Sequence, residues 1–289
     1  MKTLRECITE AKEKGIAIGH FNISTIEVLW AIVDAAKTLG VPVIIGTAEG
    51  EESFIGTDEA VALIRAIREA HPYPIFLNAD HHYTFESVKK CIDAGYDMAI
   101  FDGAKLSIEE NTRITKQCAD YAKSVRPGVV IEAELGYIGQ ASAILDKIPD
   151  GVGLTDSELT SPDEAEKFIA DTGIDAFAPS VGNIHGMLRD TPDPALNITR
   201  IKEIADRVSV PLVLHGASGN SDEDITKAID AGIRIVHVNT ELRRAWKDAT
   251  AEHIAAHPDD VAPYKVLKEA KEAVSAVVLQ KLKIFNKMQ

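Results

Sequence analysis

The sequence predicts a (β/α)8 barrel, the TIM-barrel fold, with an extra helix at its C-terminal end. Its 289 residues show a repeated alternation of short apolar runs with longer amphipathic stretches. There are eight such runs, each almost continuously apolar, as strands buried on both faces of a parallel sheet are. Eight strand–helix units without a linker indicate one closed barrel domain over residues 1–289, and a doubly wound open sheet is the alternative.

The predicted strands and several helix boundaries can be placed along the chain. The strands are Ile16–Ile18, Val41–Ile45, Pro74–Leu77, Asp97–Phe101, Val129–Ala133, Ile174–Pro179, Pro211–Leu214 and Ile233–Val238. The segment Thr25–Leu39 carries apolar residues at helical spacing. Ser107 with Glu110, and Ser161 with Glu164, have the spacing of capping boxes and mark two further helix starts.

Three segments fall outside the regular repeat. The loops 136–160 and 181–197, after the fifth and sixth strands, are long for a compact barrel, and such loops usually carry function. After the eighth helix, residues 260–289 form a helical extension in which Val266–Phe285 is amphipathic. We expect its apolar face to pack either on the barrel or on another copy of the chain.

Charge and composition exclude several classes of protein. A formal net charge of -14 repels nucleic acid and anionic lipid, so we expect neither as a partner. No apolar run approaches the length that spans a membrane, and no apolar signal region opens the chain. Cys7, Cys91 and Cys118 lack metal-type spacing in the sequence. We therefore expect free thiols in a reducing compartment, the cytoplasm.

Polar residues follow most of the predicted strands, where the active site of such a barrel lies. In chain order they are His20, Asn22, Asn78, Asp80, His81, His82, Asp102, Glu132, Glu134, Asn183, His185, His215, His237, Asn239 and Thr240. Most of the nine histidines therefore share one rim with several carboxylates. We expect the other three, His71, His253 and His257, to lie on the solvated surface.

Three of the rim histidines have the pattern of a metal site. His81, His185 and His215 come from three different strands. Three converging imidazoles with an open fourth position are typical of catalytic zinc. Each histidine alone would be better explained by an ordinary hydrogen bond, but three beside Asp and Glu favour a metal. We expect His82 to point away from His81, and both His82 and His237 to be hydrogen-bonded rim residues.

A phosphate site is predicted after the seventh and eighth strands, its usual position in this barrel. Residues 214–221 read LHGASGNS, and the next helix starts immediately afterwards. Gly216, Ala217 and Ser218, with Asn239 and Thr240, would offer backbone N–H groups and hydroxyls to one phosphate. Such a glycine-containing turn can also be only a turn.

Six segments together resemble the class II fructose-bisphosphate and tagatose-bisphosphate aldolase family. They are NADHH (78–82), IFDGAKLSIEEN (100–111), IEAELGYIG (131–139), NIHG (183–186), LHGASG (214–219) and VNTEL (238–242). The similarity is ordered and runs from about residue 18 to residue 242. It implies reversible zinc-dependent cleavage of fructose 1,6-bisphosphate to dihydroxyacetone phosphate and glyceraldehyde 3-phosphate, with tagatose bisphosphate or another ketose phosphate as the alternative.

The resemblance also implies roles for individual residues. Zinc would be bound by His81, His185 and His215, and Asp80 would be the catalytic acid. Glu134 and Asp102 would face the metal and allow a second metal position. The substrate pocket would be formed by Asn22, Gly186, Gly216, Ala217, Ser218, His237, Val238, Asn239 and Thr240, with a monovalent cation, Na+ or K+, nearby. The family also favours a homodimer or homotetramer.

The sequence departs from the family pattern at three places. His82 stands where the family usually has glycine, and Asn78 stands where it often has histidine. Residues 140–142 read Gln-Ala-Ser and lack the acidic pair found in many members. The base that removes the carbon-bound proton is therefore predicted to be Glu134, with Asp146 and Asp150 on the loop as alternatives.

Other functions remain as alternatives at this point. A Schiff-base aldolase needs a desolvated lysine inside the barrel. Lys105 lies beyond the fourth strand, and the fifth, sixth and seventh strands contain no lysine. A metal-dependent sugar-phosphate isomerase or epimerase would use the same enediolate chemistry. A non-catalytic barrel that senses a sugar phosphate is the third alternative.

Overall fold

The computed structural model describes residues 1–139 and 142–288. Its ten strands are β1 (Ile18–Asn22), β2 (Val43–Ala48), β3 (Ile75–His82), β4 (Met98–Phe101), β5 (Val130–Leu135), β6 (Ile144–Leu145), β7 (Ala176–Pro179), β8 (Met187–Leu188), β9 (Leu212–Leu214) and β10 (Ile233–Val238). Its helices are α1 (Leu4–Lys14), α2 (Ile26–Leu39), α3 (Glu49–Ile55), α4 (Thr57–Ala70), α5 (Phe85–Ala94), α6 (Ile108–Val125), α7 (Pro162–Thr172), α8 (Ile198–Arg207), α9 (Asp222–Ala231), α10 (Thr240–Ala256) and α11 (Pro263–Phe285).

Eight of these strands close into a barrel in the order β1-β10-β9-β7-β5-β4-β3-β2. Every neighbouring pair is parallel, because a helix carries the chain back between successive strands. The closed order confirms the predicted TIM barrel and rules out the open sheet. It also places the carboxyl ends of all eight strands on one rim.

The barrel interior is apolar at the bottom and polar at the top. Ile18, Ile44, Phe76, Met98 and Val130 belong to one buried cluster, into which α1 inserts apolar side chains from below. Further along the same inward faces, the strands carry polar side chains such as those of His20, Asn78, Glu132 and His237, all of them buried. Helix α1 covers the bottom of the barrel, and the polar layer faces the rim at the other end.

The observed strands differ from the predicted ones mainly at the rim. The first run was predicted to end at Ile18, but β1 begins there and continues to Asn22. The third extends to His82 instead of ending at Leu77. The polar residues at these positions remain in the strand because neighbouring strands pair with them; His20, for instance, lies opposite both His237 and Ile44.

Helix ends follow local signals in most cases. Thr25–Leu39 was predicted as a helix, and α2 ends at Gly40 in the left-handed conformation, with φ of 69°. The predicted box of Ser161 and Glu164 at the start of α7 is confirmed. The capping box predicted for Ser107 and Glu110 is only half formed. The Ser107 side chain accepts the backbone N–H of Glu110, but the Glu110 carboxylate pairs with Arg113 at 2.6 Å and does not return to Ser107.

The two long loops meet in a small parallel sheet of their own. Strand β6 lies in the loop after β5, strand β8 lies in the loop after β7, and they pair at Ile144–Met187 and Leu145–Leu188. A further link is the ion pair between Asp146 and Arg189, 2.8 Å long. Two positions of the predicted non-acidic stretch, Gln140 and Ala141, lie outside the described residues. The sheet couples the loop that carries His185 to the loop after β5.

The C-terminal helix α11 packs on α2 and α10 of the same chain. Ala270, Val274 and Val278 of the predicted apolar face are fully buried in this contact. That face is therefore used within the chain, and association with another copy stays a prediction. One surface prediction was wrong: His253 is buried under α11, near Glu269.

Among the described residues, no helix has the length and apolar content needed to cross a bilayer.

Candidate active site and metal centre

Four side chains converge at the centre of the rim. His81, Glu134, His185 and His215 each offer a ligand atom, and these atoms all lie within 4.8 Å of one another. His215 Nδ1 is 3.1 Å from His81 Nε2 and 3.3 Å from Glu134 Oε1. His185 Nε2 is 3.8 Å from the same Glu134 oxygen. The three histidines predicted from separate strands therefore meet with one carboxylate.

Two further carboxylates hold the histidine rings from behind. Glu132 Oε1 lies 2.6 Å from His215 Nε2, and both side chains are fully buried. Asp102 Oδ2 lies 3.0 Å from His81 Nδ1. Each contact fixes one ring nitrogen and leaves the other toward the centre, as outer carboxylates do around bound metals. Asp102 was predicted to face the metal, and it lies behind His81, outside the group of four.

A bulge at the end of β3 explains how adjacent residues reach the rim. The pairing of β3 with β4 shifts register between Ala79 and His82. His81 has a φ of 50°, which is uncommon for a residue other than glycine. As a result Asp80 and His81 both line the central cleft. His82, as predicted, turns away from His81 and contacts residues outside the barrel.

Asp80 is held by one of its two carboxylate oxygens. Oδ2 accepts a hydrogen bond from Asn22 Nδ2 at 2.8 Å. Oδ1 has no hydrogen-bond partner and lies 3.5 Å from His237 Nδ1 and 3.7 Å from His81 Nε2. Burial alone would raise the pKa of Asp80, but the neighbouring His81 and His237 bring that pKa well below its usual range. Asp80 is thus held by one oxygen, and the other is unpartnered beside the cleft.

The charges around the centre favour a cation. Burial alone would lower the pKa of His81, but the carboxylates of Asp80, Glu134 and Asp102 raise that pKa well above its usual range. Burial, reinforced by the charge of Asp102, raises the pKa of Glu134. Two donor atoms of the group, Glu134 Oε1 and His185 Nε2, are buried without a hydrogen-bond partner. Buried polar atoms normally have one, so these two are suited to an ion.

The alternative bases lie on the surface. Asp146 pairs with Arg189, and its side chain is 83% exposed. Asp150 pairs with Lys147 at 2.9 Å, and its side chain is 89% exposed. Glu134, by contrast, is buried among the three histidines. The geometry therefore brings only Glu134 of the three candidate bases to the histidine cluster.

The predicted phosphate turn lies beside the metal cluster. Gly216 adopts the left-handed conformation, and a Cβ at this position would lie 2.1 Å from the carbonyl oxygen of Ile184. The next residues form a short 3-10 turn, 217–219, beside the N-terminus of α10. Ser218 Oγ accepts the backbone N–H of Asn239 at 3.3 Å, which ties this turn to that helix end. A helix N-terminus and a close backbone are suited to an anion.

Most of the predicted substrate residues line one cleft. The lining residues are Asn22, Asp80, His81, Ser142, His185, Gly186, His215, Gly216, Ser218, His237, Asn239 and Thr240. Ala217 and Val238 are buried beside it and do not line it. The free volume between these side chains is about 20 Å³. That is about the space of one water.

Several functional contacts were not predicted from the sequence. Glu132 supports His215, and its signal was the two-residue spacing from Glu134, which puts both on one face of β5. Glu51, on the unpredicted helix α3, accepts hydrogen bonds from Asn22 at 2.7 Å and from Arg243 at 2.6 Å. No local pattern marks Glu51, because its partners come from distant parts of the chain.

A second stack of histidines extends the cleft inward. The rings of His20 and His237 are parallel, with centroids 3.5 Å apart, and His237 lies 4.0 Å from His215. His20 Nε2 contacts the amide of Asn78 at 2.9 Å. A Cβ at Gly46 would lie 2.3 Å from His20 Cε1, so glycine leaves room for this ring. Asn78, one of the three departures from the family pattern, therefore serves to orient His20.

Comparisons with known proteins point to one family. The family described as "Fructose-bisphosphate aldolase class-II" matches residues 2–289. A probable fructose-bisphosphate aldolase of Bacillus subtilis (strain 168) is 35% identical over 287 residues, covering 98% of this chain and 97% of that protein. The fructose-bisphosphate aldolase of Geobacillus stearothermophilus is 34% identical over 287 residues, covering 98% of this chain and 96% of that protein.

Solved structures agree. The YdjI aldolase from Escherichia coli K12 superimposes with a TM-score of 0.82 at 31% identity, covering 98% of this chain and 96% of the other. A putative fructose-1,6-bisphosphate aldolase from Coccidioides immitis gives a TM-score of 0.80 at 28% identity, covering 99% of this chain and 96% of the other. The similarity therefore extends over the whole barrel and α11.

Proposed function

Because the chain belongs to the class II fructose-bisphosphate aldolase family, we propose that it cleaves fructose 1,6-bisphosphate reversibly to dihydroxyacetone phosphate and glyceraldehyde 3-phosphate. The observation that carries this proposal is the convergence of His81, His185, His215 and Glu134 beside Asp80 on the barrel rim. No lysine lies in any of the described barrel strands, so a Schiff-base mechanism has no support.

The donor set fits zinc. Three imidazoles leave a fourth position open for substrate, and imidazole is a preferred zinc ligand. His81, His185 and His215 would hold the ion, with Glu134 as an additional or alternating ligand. When bound, zinc supplies Lewis-acid polarisation of the substrate's ketone oxygen. Asp102 and Glu132 would keep His81 and His215 oriented.

Asp80 is suited to exchange a proton with the substrate's C4 hydroxyl. Its Oδ2 is held by Asn22, while its unpartnered Oδ1 opens on the cleft. In cleavage, this oxygen would take the hydroxyl proton as the bond between C3 and C4 breaks. In condensation, the same group would return the proton to the aldehyde oxygen. Because Asn22 holds Oδ2, the proton would be exchanged at Oδ1 in both directions of the reaction.

Glu134 is suited to act on the carbon-bound proton at C1 of dihydroxyacetone phosphate. Its burial raises its pKa, which makes it a stronger base than an exposed carboxylate. The turn 216–218 and the N-terminus of α10 would hold the phosphate of the same molecule. Fixing the phosphate orients the reacting carbons toward Glu134 and Asp80.

The aldehyde end of the substrate has a neighbouring space. A cavity of about 330 Å³ adjoins the cleft through Asn22 and Asn239 and is lined further out by Arg243 and Lys247. Arg243 is held by Glu51, whereas the Lys247 side chain is exposed. Two cationic groups that line one cavity beside the cleft suit a second phosphate, which supports a bisphosphate substrate. A monovalent cation near the first phosphate stays a prediction.

The second candidate is another ketose phosphate, including tagatose 1,6-bisphosphate. The identity of 31% to 35% to these relatives supports keeping this candidate, since the YdjI structure, which covers as much of this chain as the Bacillus protein does, is described only as an aldolase, with no sugar named. Cleavage of fructose 1,6-bisphosphate, tagatose 1,6-bisphosphate and fructose 1-phosphate should be compared by measuring dihydroxyacetone phosphate release. We expect the highest kcat/KM for fructose 1,6-bisphosphate. A higher value for either other sugar would transfer the proposal to that substrate.

A variant tests the second phosphate directly. Lys247→Ala should raise KM for the bisphosphate and leave KM for fructose 1-phosphate unchanged. Arg244→Ala is the matched control, because Arg244 lies on the same helix, pairs with Asp248 and does not line the cavity. Equal effects of Lys247→Ala on both substrates would exclude this cavity as the site of the second phosphate.

A further inference from the structure

A second group of metal-binding residues lies outside the barrel, behind the active site. Glu52 of α3, His82 at the end of β3 and Cys91 of α5 meet where these three elements pack together. His82 and Cys91 are fully buried, and Glu52 is 6% exposed. The mechanism above uses none of them. We propose that these three residues form a second, buried zinc site.

The spacing of the donor atoms supports this assignment. His82 Nε2 is 3.6 Å from Glu52 Oε2, Cys91 Sγ is 3.8 Å from the same oxygen, and Cys91 Sγ is 3.9 Å from His82 Nε2. Tetrahedral zinc with ordinary bond lengths places such donors roughly 3.4–3.6 Å apart. The three atoms thus lie close to three corners of a zinc tetrahedron.

Hydrogen bonding alone explains the group less well. At 3.6 Å, the contact between His82 Nε2 and Glu52 Oε2 is too long for a hydrogen bond. The only hydrogen bonds within the group are the weak ones of a thiol: Cys91 Sγ donates to Glu52 Oε2 at 3.8 Å and lies 3.9 Å from His82 Nε2. A cation at their centre satisfies all three at once.

The surroundings are also those of a metal site. The second Glu52 oxygen, Oε1, accepts hydrogen bonds from Lys90 at 2.6 Å and from Thr57, so only Oε2 faces the group. On the far side of the ring, His82 Nδ1 has no hydrogen-bond partner and lies 3.9 Å from Glu49 Oε1. Thiolate, imidazole and carboxylate together favour zinc over magnesium or calcium.

The site would fix α3 to β3 and α5. Helix α3 also carries Glu51, which contacts Asn22 and Arg243 at the catalytic cleft. Asn22 in turn holds Asp80. Binding of zinc by Glu52 would therefore stabilise the helix on which this chain of contacts depends. The fourth coordination position would be taken by a small ligand such as water.

Cobalt substitution tests the proposal without relying on activity. The catalytic cluster contains no sulfur donor, so a thiolate-to-cobalt charge-transfer band in protein expressed with Co2+ reports only on a cysteine site. We expect two metal ions per chain and this band in the wild type. Cys91→Ala should lose the band and one ion. Cys118→Ala, which removes another fully buried cysteine, should keep both.

Other outcomes overturn the proposal. A wild-type protein without a thiolate band, whether it binds one or two ions per chain, or a band that survives Cys91→Ala would exclude the site. If circular dichroism shows that Cys91→Ala does not fold, X-ray absorption of the wild-type zinc protein tests the proposal instead. A sulfur neighbour at about 2.3 Å from zinc supports the site, and its absence rejects it.

Discussion

His215 Nε2 lies 2.6 Å from Glu132 Oε1, with both side chains fully buried inside the barrel. This contact directs the other nitrogen of the ring, Nδ1, toward His81 Nε2 at 3.1 Å. Glu132 therefore decides which nitrogen of His215 is offered to the metal cluster. Glu132 touches neither the cleft nor the proposed substrate, so its effect must pass through His215.

Glu132→Gln should weaken binding of the catalytic metal. An amide can donate as well as accept, so it no longer fixes the ring of His215, and loss of such support typically costs about 10- to 100-fold in metal affinity. The measurement is the recovery of activity as buffered free zinc is raised. Glu110→Gln changes an exposed carboxylate paired with Arg113 and should leave the zinc dependence unchanged. The same dependence of activity on free zinc in both variants would mean that Glu132 does not orient His215.

Removal of the metal should abolish cleavage while the barrel stays folded. The strands are held by backbone pairing and the apolar interior, which do not depend on the side chains of His81, His185 and His215. His81→Ala, His185→Ala and His215→Ala should each lose zinc and activity, as measured by elemental analysis and a cleavage assay. His71→Ala, a surface control, should retain both. Full activity after chelation would reject a zinc mechanism.

Asp80→Ala should keep zinc and lose most of the rate. A positioned proton donor contributes on the order of a hundred- to ten-thousand-fold, so kcat should fall within that range. Asp80→Asn should lose as much, since an amide can accept the hydrogen bond of Asn22 but cannot carry the proton. Turnover near that of the wild type in both variants would show that Asp80 only orients His81.

Glu134→Gln should slow exchange of the C1 hydrogen of dihydroxyacetone phosphate with solvent. This exchange can be followed by NMR in deuterium oxide without any aldehyde, which separates proton removal from carbon–carbon bond formation. Asp146→Asn and Asp150→Asn serve as controls, because both carboxylates are exposed and paired with basic side chains on the loops. Loss of exchange in either loop variant, with exchange retained in Glu134→Gln, would place the base on the loop.

The protein should be at least a dimer in solution. The apolar face first suggested as the interface is buried on α2 and α10 of the same chain, at Ala270, Val274 and Val278. We therefore expect a different surface to form the contact, with family membership as the remaining support. Light scattering over a range of protein concentrations that includes the assay concentration measures the mass. A mass of one chain throughout would contradict this prediction.

The sequence by itself determined the barrel and most of the cleft. Alternation of apolar runs with amphipathic segments is a local property, so it predicted all eight barrel strands. Strand ends share one rim in a parallel barrel, so His81, His185 and His215 could be grouped before their distances were known. The helix predicted over residues 25–39 does end at Leu39, because the next residue, Gly40, adopts the left-handed conformation that favours glycine.

Only the tertiary structure decided which neighbours act together. The bulge in β3 turns Asp80 and His81 into the cleft and His82 out of it, and it depends on the register between β3 and β4. Glu51 reaches Asn22 and Arg243, 29 and 192 residues away along the chain. Such contacts leave no periodic trace in the sequence, since strand register and helix packing, not spacing along the chain, bring the partners together.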